Sequence, residues 1–253
     1  MKIMEALSLS DRGGVVSFAG GGGKTSLMFR LNSEIPVRCR VVLTTTTKIQ
    51  VPPTNKYPTL LLSKKGQINK ALESLLQSGI RPVLGLQPLN GNKIKGFSAQ
   101  WLDRIINGTS GSGNFVLVEA DGSKGRSLKG YLDYEPVIPR STTLLVVVIG
   151  ADVIGRTLND SFTHRPAVIS KMIGLKPGEI VDPENIARLI IHPRGVLRSC
   201  PPGARIIPFI NKADCLAKRD DAYRLANFLL GGRIRRVILG SAISKDPVID
   251  VID

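Results

Sequence analysis

Four consecutive glycines, Gly20-Gly21-Gly22-Gly23, separate the β-branched and aromatic segment Val15-Val16-Ser17-Phe18 from the apolar segment opened by Lys24-Thr25-Ser26-Leu27. That order reads as strand, glycine loop and helix. Successive backbone N–H groups of such a loop turn inward around a phosphate, and the helix N-terminus and a lysine add positive charge at the same point. Glycine is required where the backbone approaches a ligand in conformations that a Cβ forbids. The spacing G-x-x-G-K-T, from Gly20 to Thr25, is shorter than the usual phosphate loop, which would have a glycine at the position of Phe18. A flexible turn after a strand is the alternative reading.

Strand and helix patterns alternate along the rest of the chain. Cys39 to Leu43, Phe115 to Val118, Leu144 to Ile149, Arg205 to Ile210 and Arg236 to Leu239 are near-continuous apolar runs, as strands buried on both faces require. Asp182-Pro183-Glu184 is a helix start, with Asp as N-cap and Pro in the first helical position. Ser63 is suited to cap a helix whose apolar stripe includes Leu72, Leu75 and Leu76. The expected architecture is α/β: a single nucleotide-binding domain over residues 1–253. Its core is a doubly wound, mostly parallel sheet flanked by helices, like that of phosphate-loop NTPases.

Composition narrows the setting. The net charge is +15, from 35 Lys and Arg against 20 Asp and Glu, which points to anionic partners. Basic residues gather at Lys124 to Lys129 and at Arg233 to Arg236, without interleaved aromatic side chains, so a dedicated nucleic-acid binder is disfavoured. No apolar run reaches bilayer length, and the first residues do not form a signal peptide. Cys39, Cys200 and Cys215 are widely spaced, so neither a zinc knuckle nor a disulfide framework is implied, and a cytoplasmic location is expected.

In a parallel sheet, ligands gather beyond the carboxyl ends of the strands, and the polar motifs of this chain all follow strands. Glu119 and Asp121, two apart on an extended backbone, would share one side. An acid there can hold Mg2+ through water opposite the hydroxyl of Thr25, or position a water; an ion pair with Lys124 or Arg126 is the alternative. Asp121 is the preferred metal partner of Thr25. Lys24, Glu119 and Asp121 are therefore the candidate catalytic residues. Thr44-Thr45-Thr46-Thr47-Lys48 offers hydroxyls, and Thr46 and Lys48 are candidate phosphate sensors in a switch segment. Lys124 and Arg126 either close over phosphates or form a solvated basic loop.

Asn211-Lys212-Ala213-Asp214 matches N-K-x-D, in which the aspartate accepts from N1–H and the exocyclic amine of guanine while Asn and Lys brace the loop. Ser241-Ala242 matches the companion element after the next strand. A polar turn is the alternative. The candidate nucleotide contacts are thus Gly20 to Gly23, Lys24, Thr25, Ser26, Thr46, Lys48, Lys124, Arg126, Asn211, Lys212, Asp214, Ser241 and Ala242. GTP is the first choice and ATP the second. His164 and His192 read as structural.

Phe18 to Ser26, Thr44 to Ile49, Glu119 to Arg126, Glu135-Pro136-Val137-Ile138-Pro139, His164-Arg165-Pro166 and Asn211 to Asp214 fall in an order that resembles the YqeC family of selenium-dependent molybdenum hydroxylase accessory proteins. The resemblance implies a phosphate-loop nucleotide-binding protein whose partner is such a hydroxylase or its cofactor. It supplies no reaction. The chemical alternative is a kinase, ligase or nucleotidyltransferase on a small anionic substrate held by Arg126, Lys129, His164 and Arg165.

Overall fold

The computed structural model describes residues 1–50, 59–61, 68–90, 93–108, 113–216 and 219–253. Strands β1 (Gly13–Gly20), β2 (Arg40–Thr45), β3 (Thr59–Leu61), β4 (Val83–Gly85), β5 (Asn114–Glu119), β6 (Leu144–Gly150), β7 (Arg205–Asn211), β8 (Val237–Gly240) and β9 (Val248–Ile252) form one sheet. Their order is β9-β8-β7-β6-β1-β5-β2-β4-β3. Every neighbouring pair is parallel except β8 with β9. From β1 the chain crosses to β2 and on to the far edge at β3, returns through β4 to β5 beside β1, and then crosses to the other side for β6 to β9. β1 is therefore the topological switch point, where a ligand crevice opens beyond the strand ends.

Helices α1 (Ile3–Ala6), α2 (Lys24–Glu34), α3 (Ile68–Gln77), α4 (Ala99–Gly108), α5 (Pro166–Ile173), α6 (Pro183–Ile191) and α7 (Asp220–Leu229) cover both faces. Alternation along β1 divides the core: Val16 and Phe18 face α1 and α2, Val15 belongs to the cluster under α3 and α4, and Ala19 to the one under α5 to α7. Each fully buried Val, Leu or Ile contributes about 1.5–3 kcal/mol by leaving water, so this two-sided burial sustains a doubly wound, mostly parallel sheet flanked by helices.

Local signals behave as their chemistry requires. Asp182 accepts the Asn185 N–H at 2.7 Å with Pro183 in the first turn of α6. Three elements escape the sequence reading. α5 starts at Pro166 and stops at Gly174, which has φ 77°. β9 is a short antiparallel strand at the edge. Residues 48–50, 87–89 and 93–95 form a small antiparallel sheet. Ser63 lies outside the described residues. Among those described, no helix is long and apolar enough to cross a membrane, Cys39 and Cys200 are buried free thiols, and Cys215 is an exposed one.

Part of the cationic excess is spent on backbone. In a parallel sheet the helices run back against the strands, so their C-terminal carbonyls collect at the amino ends of the strands. Arg81 binds the Ile35 and Pro36 carbonyls at 2.8 Å each, just past α2. Arg188 binds the Ile173 carbonyl at 2.9 Å, at the end of α5.

Candidate functional site

The glycine loop leaves β1 at its carboxyl end and is gripped on both sides. Gly21 N–H donates to the Val148 carbonyl at 2.9 Å and Gly22 N–H to the Arg126 carbonyl at 2.8 Å. Gly22 has φ 80°, and a Cβ there would lie 2.3 Å from Gly150 N and 2.4 Å from its Cα, so no side chain fits. Gly23, also left-handed, is the N-cap of α2, which aims its free N–H groups into the crevice.

Lys24 is buried and curls back over the loop. Its ammonium donates to the Gly20 carbonyl at 2.7 Å, reaches Ser123 Oγ at 3.4 Å and lies 3.1 Å from Asp121 Oδ1. Asp121 also accepts the Gly20 N–H, at 3.0 Å through Oδ2, and faces Lys129 at 3.4 Å. The ion pairing continues: Lys129 lies 3.2 Å from Glu135, which Arg165 grips with both guanidinium arms. Five charges of alternating sign thus link the glycine loop to Arg165. Lys129 is fully buried and lacks a well-directed hydrogen bond among the described residues, so it is held by charge and by the Tyr131 ring 5.4 Å away. Burial alone would raise the Glu135 carboxyl, but Arg165 and Lys129 outweigh it and hold it below its usual value.

The acids divide their roles differently from the expected pairing of Thr25 with Asp121. β5 ends at Glu119, so the two-residue alternation stops there and Asp121 swings across to the Gly20 N–H. Glu119 takes the Thr25 hydroxyl instead, at 2.6 Å. Burial pushes the Glu119 carboxyl above its usual value, with Lys24 and the Thr25 hydroxyl pulling the other way. Two hard oxygen donors face each other here beside the glycine loop. Among the described residues no three His, Cys, Asp or Glu side chains form a cage of their own. Such a pair fits Mg2+, which takes few protein ligands and shares the rest with phosphate and water.

Lys129 is likewise not the solvated, substrate-facing cation that its basic loop suggested; of that loop's basic residues only Lys124 and Arg126 are exposed. In the threonine run, Thr44, Thr45 and Thr46 donate to the Leu84, Glu119 and Val137 carbonyls at 3.2, 2.8 and 2.7 Å. Those three hydroxyls brace the strand ends. Lys48 and Ser26 are exposed.

The late motifs reach the same place. Asn211 Nδ2 donates to the Gly22 carbonyl at 2.6 Å, and its Oδ1 accepts the Ala242 N–H at 2.8 Å. One amide therefore ties β7, the glycine loop and the segment after β8 together. Lys212, at φ 62°, donates to Ser127 Oγ at 3.1 Å and to Asp152 at 2.8 Å. Asp214 is exposed on the turn that follows, and Ser241 is buried. Arg30 staples the Ser244 and Lys245 carbonyls to α2 at 2.7 and 2.9 Å. Sequence reasoning left Ser123, Ser127 and Asp152 without a role; each follows a strand end, the only signal they carry.

A profile of the YqeC protein family matches residues 16–167. The chain belongs to the YqeC family. The uncharacterized protein YqeC of Escherichia coli (strain K12) is 31% identical over 206 residues, spanning 81% of this chain and 78% of the relative. Among solved structures, FlhF complexed with GMPPNP/Mg(2+) aligns with 95% of this chain and 70% of its own, at 10% identity and a TM-score of 0.41. The part of this YqeC-family chain that the profile matches contains the glycine loop, both acids and the His164-Arg165-Pro166 turn.

That turn has an unusual electrostatic setting. Residues 163–164 pair in parallel with residues 128–129, and Arg165 holds φ 63° at the N-cap of α5. Burial, then the neighbouring Arg165, Lys129 and Lys124, push the His164 pKa down to about 4. Above pH 6.5 its imidazole is neutral in both folded and unfolded chains and contributes nothing. Between pH 6.5 and 4 the unfolded chain takes a proton that the folded one refuses, so stability falls as pH falls. His164→Gln is expected to lose less melting temperature than the wild type across that window. Equal losses would remove the assignment.

Proposed function

We propose that the chain is a Mg-dependent nucleoside triphosphatase, with GTP as its preferred nucleotide, acting as an accessory factor to a client protein. One observation carries the reading: Asn211 joins the glycine loop to the Ser241-Ala242 segment at the switch point of the sheet, beside Lys24 and the Thr25–Glu119 pair. Gly20 to Gly23 and the N-terminus of α2 wrap the phosphates, and Lys24 neutralises them. Thr25 and Glu119 hold Mg2+, which would supply charge neutralisation on the phosphates. Asp214 reads guanine. The client that the family resemblance implies is a selenium-dependent molybdenum hydroxylase or its cofactor, and stimulation of hydrolysis by that client is the expected sign of it.

GTP, ATP and CTP titrated calorimetrically with Mg2+ test the base assignment. GTP binds most tightly, and Asp214→Ala weakens GTP alone, by roughly 10–100-fold for the loss of hydrogen bonds to a charged acceptor. Equal affinities untouched by the substitution would overturn the guanine reading while leaving the phosphate site standing.

A second reading, transfer to a small anionic substrate, rests on the exposed Lys124 and on His164, on segments joined to the phosphate loop. Rapid turnover of a small molecule without any client would favour it.

A further inference from the structure

The end of the sheet opposite the glycine loop carries two adjoining grooves. One, of about 330 Å³, is lined by Ile191, Leu197, Phe228, Leu230 and Ile234 between the ends of α6 and α7. The next, of about 320 Å³, is lined by Arg205, Arg233, Arg235 and Arg236 beside Ser8. Arg233 borders both, so the surface passes without a break from apolar to cationic. Ile191 is 51% exposed and Phe228 44%, so two large apolar side chains stand in water at the edge of one groove.

The arginines are charged in a particular way. Arg236 is neutralised by Asp253, at 2.5 and 2.7 Å. Arg233 is spent on carbonyls, those of Pro201 at 2.6 Å and Ala204 at 3.0 Å, and Arg205 on the Ser8 carbonyl at 3.3 Å. Carbonyls fix a guanidinium without cancelling its charge. Arg235 is exposed and, among the described residues, pairs with no carboxylate. Three uncancelled positive charges, two of them fixed on carbonyls, thus stand beside an apolar slot, in a chain whose cations exceed its acids by fifteen.

We propose that this face docks an acidic protein segment that places an apolar anchor in the Phe228 groove and carboxylates on Arg205, Arg233 and Arg235. Protein interfaces are built this way, with an aromatic and aliphatic centre and arginine forks at the edge, and a planar guanidinium suits a carboxylate bidentately. The two grooves are concave, whereas insertion into a lipid surface needs apolar groups that protrude. Phe228 is the one aromatic side chain in either lining, so a nucleic-acid strand finds no stacking platform. β7 runs from Arg205 to Asn211, a rise of roughly 20 Å at about 3.3 Å per residue, so a docked partner leaves the glycine loop open. The proposal stands apart from the nucleotide reading.

Selection of a random peptide library against the immobilised whole chain tests it, followed by anisotropy titration of the enriched peptides. The expected winners combine Asp and Glu with Leu, Ile or Phe, and their affinity falls as salt rises. Phe228→Asp and, separately, Arg235→Glu each weaken binding at least tenfold while the melting temperature holds. Should Phe228→Asp unfold, Arg235→Glu decides alone, because its side chain supports nothing. No enrichment, a consensus without acids, or equal binding to Arg235→Glu would overturn the proposal. Preferential binding of phosphatidylserine vesicles or of duplex RNA, lost in the same variants, would overturn it in favour of those partners.

Discussion

Asp121→Ala is expected to destabilise the fold by about 3–5 kcal/mol, the range for removing one member of a buried ionic cluster and leaving its partners charged. The carboxylate faces two buried ammonium groups and accepts the Gly20 N–H. Without it Lys24 loses its direct ion pair and keeps two neutral hydrogen-bond partners and the weaker pull of Glu119, Lys129 keeps Glu135 as its ion-pair partner, and a buried N–H is orphaned. Urea unfolding followed by far-UV circular dichroism gives the loss as a lower midpoint at unchanged slope. Asp121→Asn retains an acceptor for Gly20 but no charge, and should fall between wild type and Ala. A loss below about 1 kcal/mol, the level of an exposed ion pair, would mean that Lys24 does not rest on Asp121.

The same geometry sets Glu119 apart. It lies against one hydroxyl at the edge of the crevice, so Glu119→Gln should disturb the fold far less than Asp121→Ala. Its effect should fall on the Mg2+ dependence of nucleotide binding. In the proposed mechanism the two acids, close in sequence, divide the work: Asp121 shapes the loop and Glu119 faces the ligand.

That division also marks where the sequence stops being readable. The alternation of apolar runs with amphipathic stretches reveals β1, β2, β5, β6, β7 and β8, because a strand buried on both faces leaves a nearly continuous apolar record. Asp182-Pro183 reveals α6 for an equally local reason. Thr25 is a different case. Choosing between Glu119 and Asp121 requires knowing that β5 ends at Glu119, and a boundary shift of one or two residues reverses which carboxylate shares its side. Lys129 is harder still. Within Lys124 to Lys129, next to glycines, it has the composition of a solvated loop. Its burial depends on Asp121, on Glu135 six residues later and on Arg165 thirty further along, none of which a local pattern can join. Asn211 shows the opposite: the four-residue motif suggested a bracing role, and its side chain does reach the glycine loop.

Lys24→Met is expected to lower nucleotide affinity by about 10²–10³-fold. One charge pair near 4 Å is worth about 4 kcal/mol at the effective dielectric of a protein surface, which is close to a thousandfold in affinity. Part of that is already in use, because the ammonium sits 3.1 Å from Asp121 and must be shared with an arriving phosphate. The loss is compounded, since a phosphate that meets no Lys24 still meets the Asp121 carboxylate. The fold should change little by comparison: methionine preserves the apolar stem, while Asp121 keeps Lys129 and the Gly20 N–H. This separation is the decisive readout. Gly22→Ala, whose Cβ would run into the Gly150 backbone, should lose both affinity and stability. Lys24→Met should lose far more affinity than stability. Calorimetry with GTP and Mg2+, paired with urea unfolding of each variant, distinguishes the two. Full affinity in Lys24→Met would mean that the loop does not hold phosphate, whatever Asp214 does with the base.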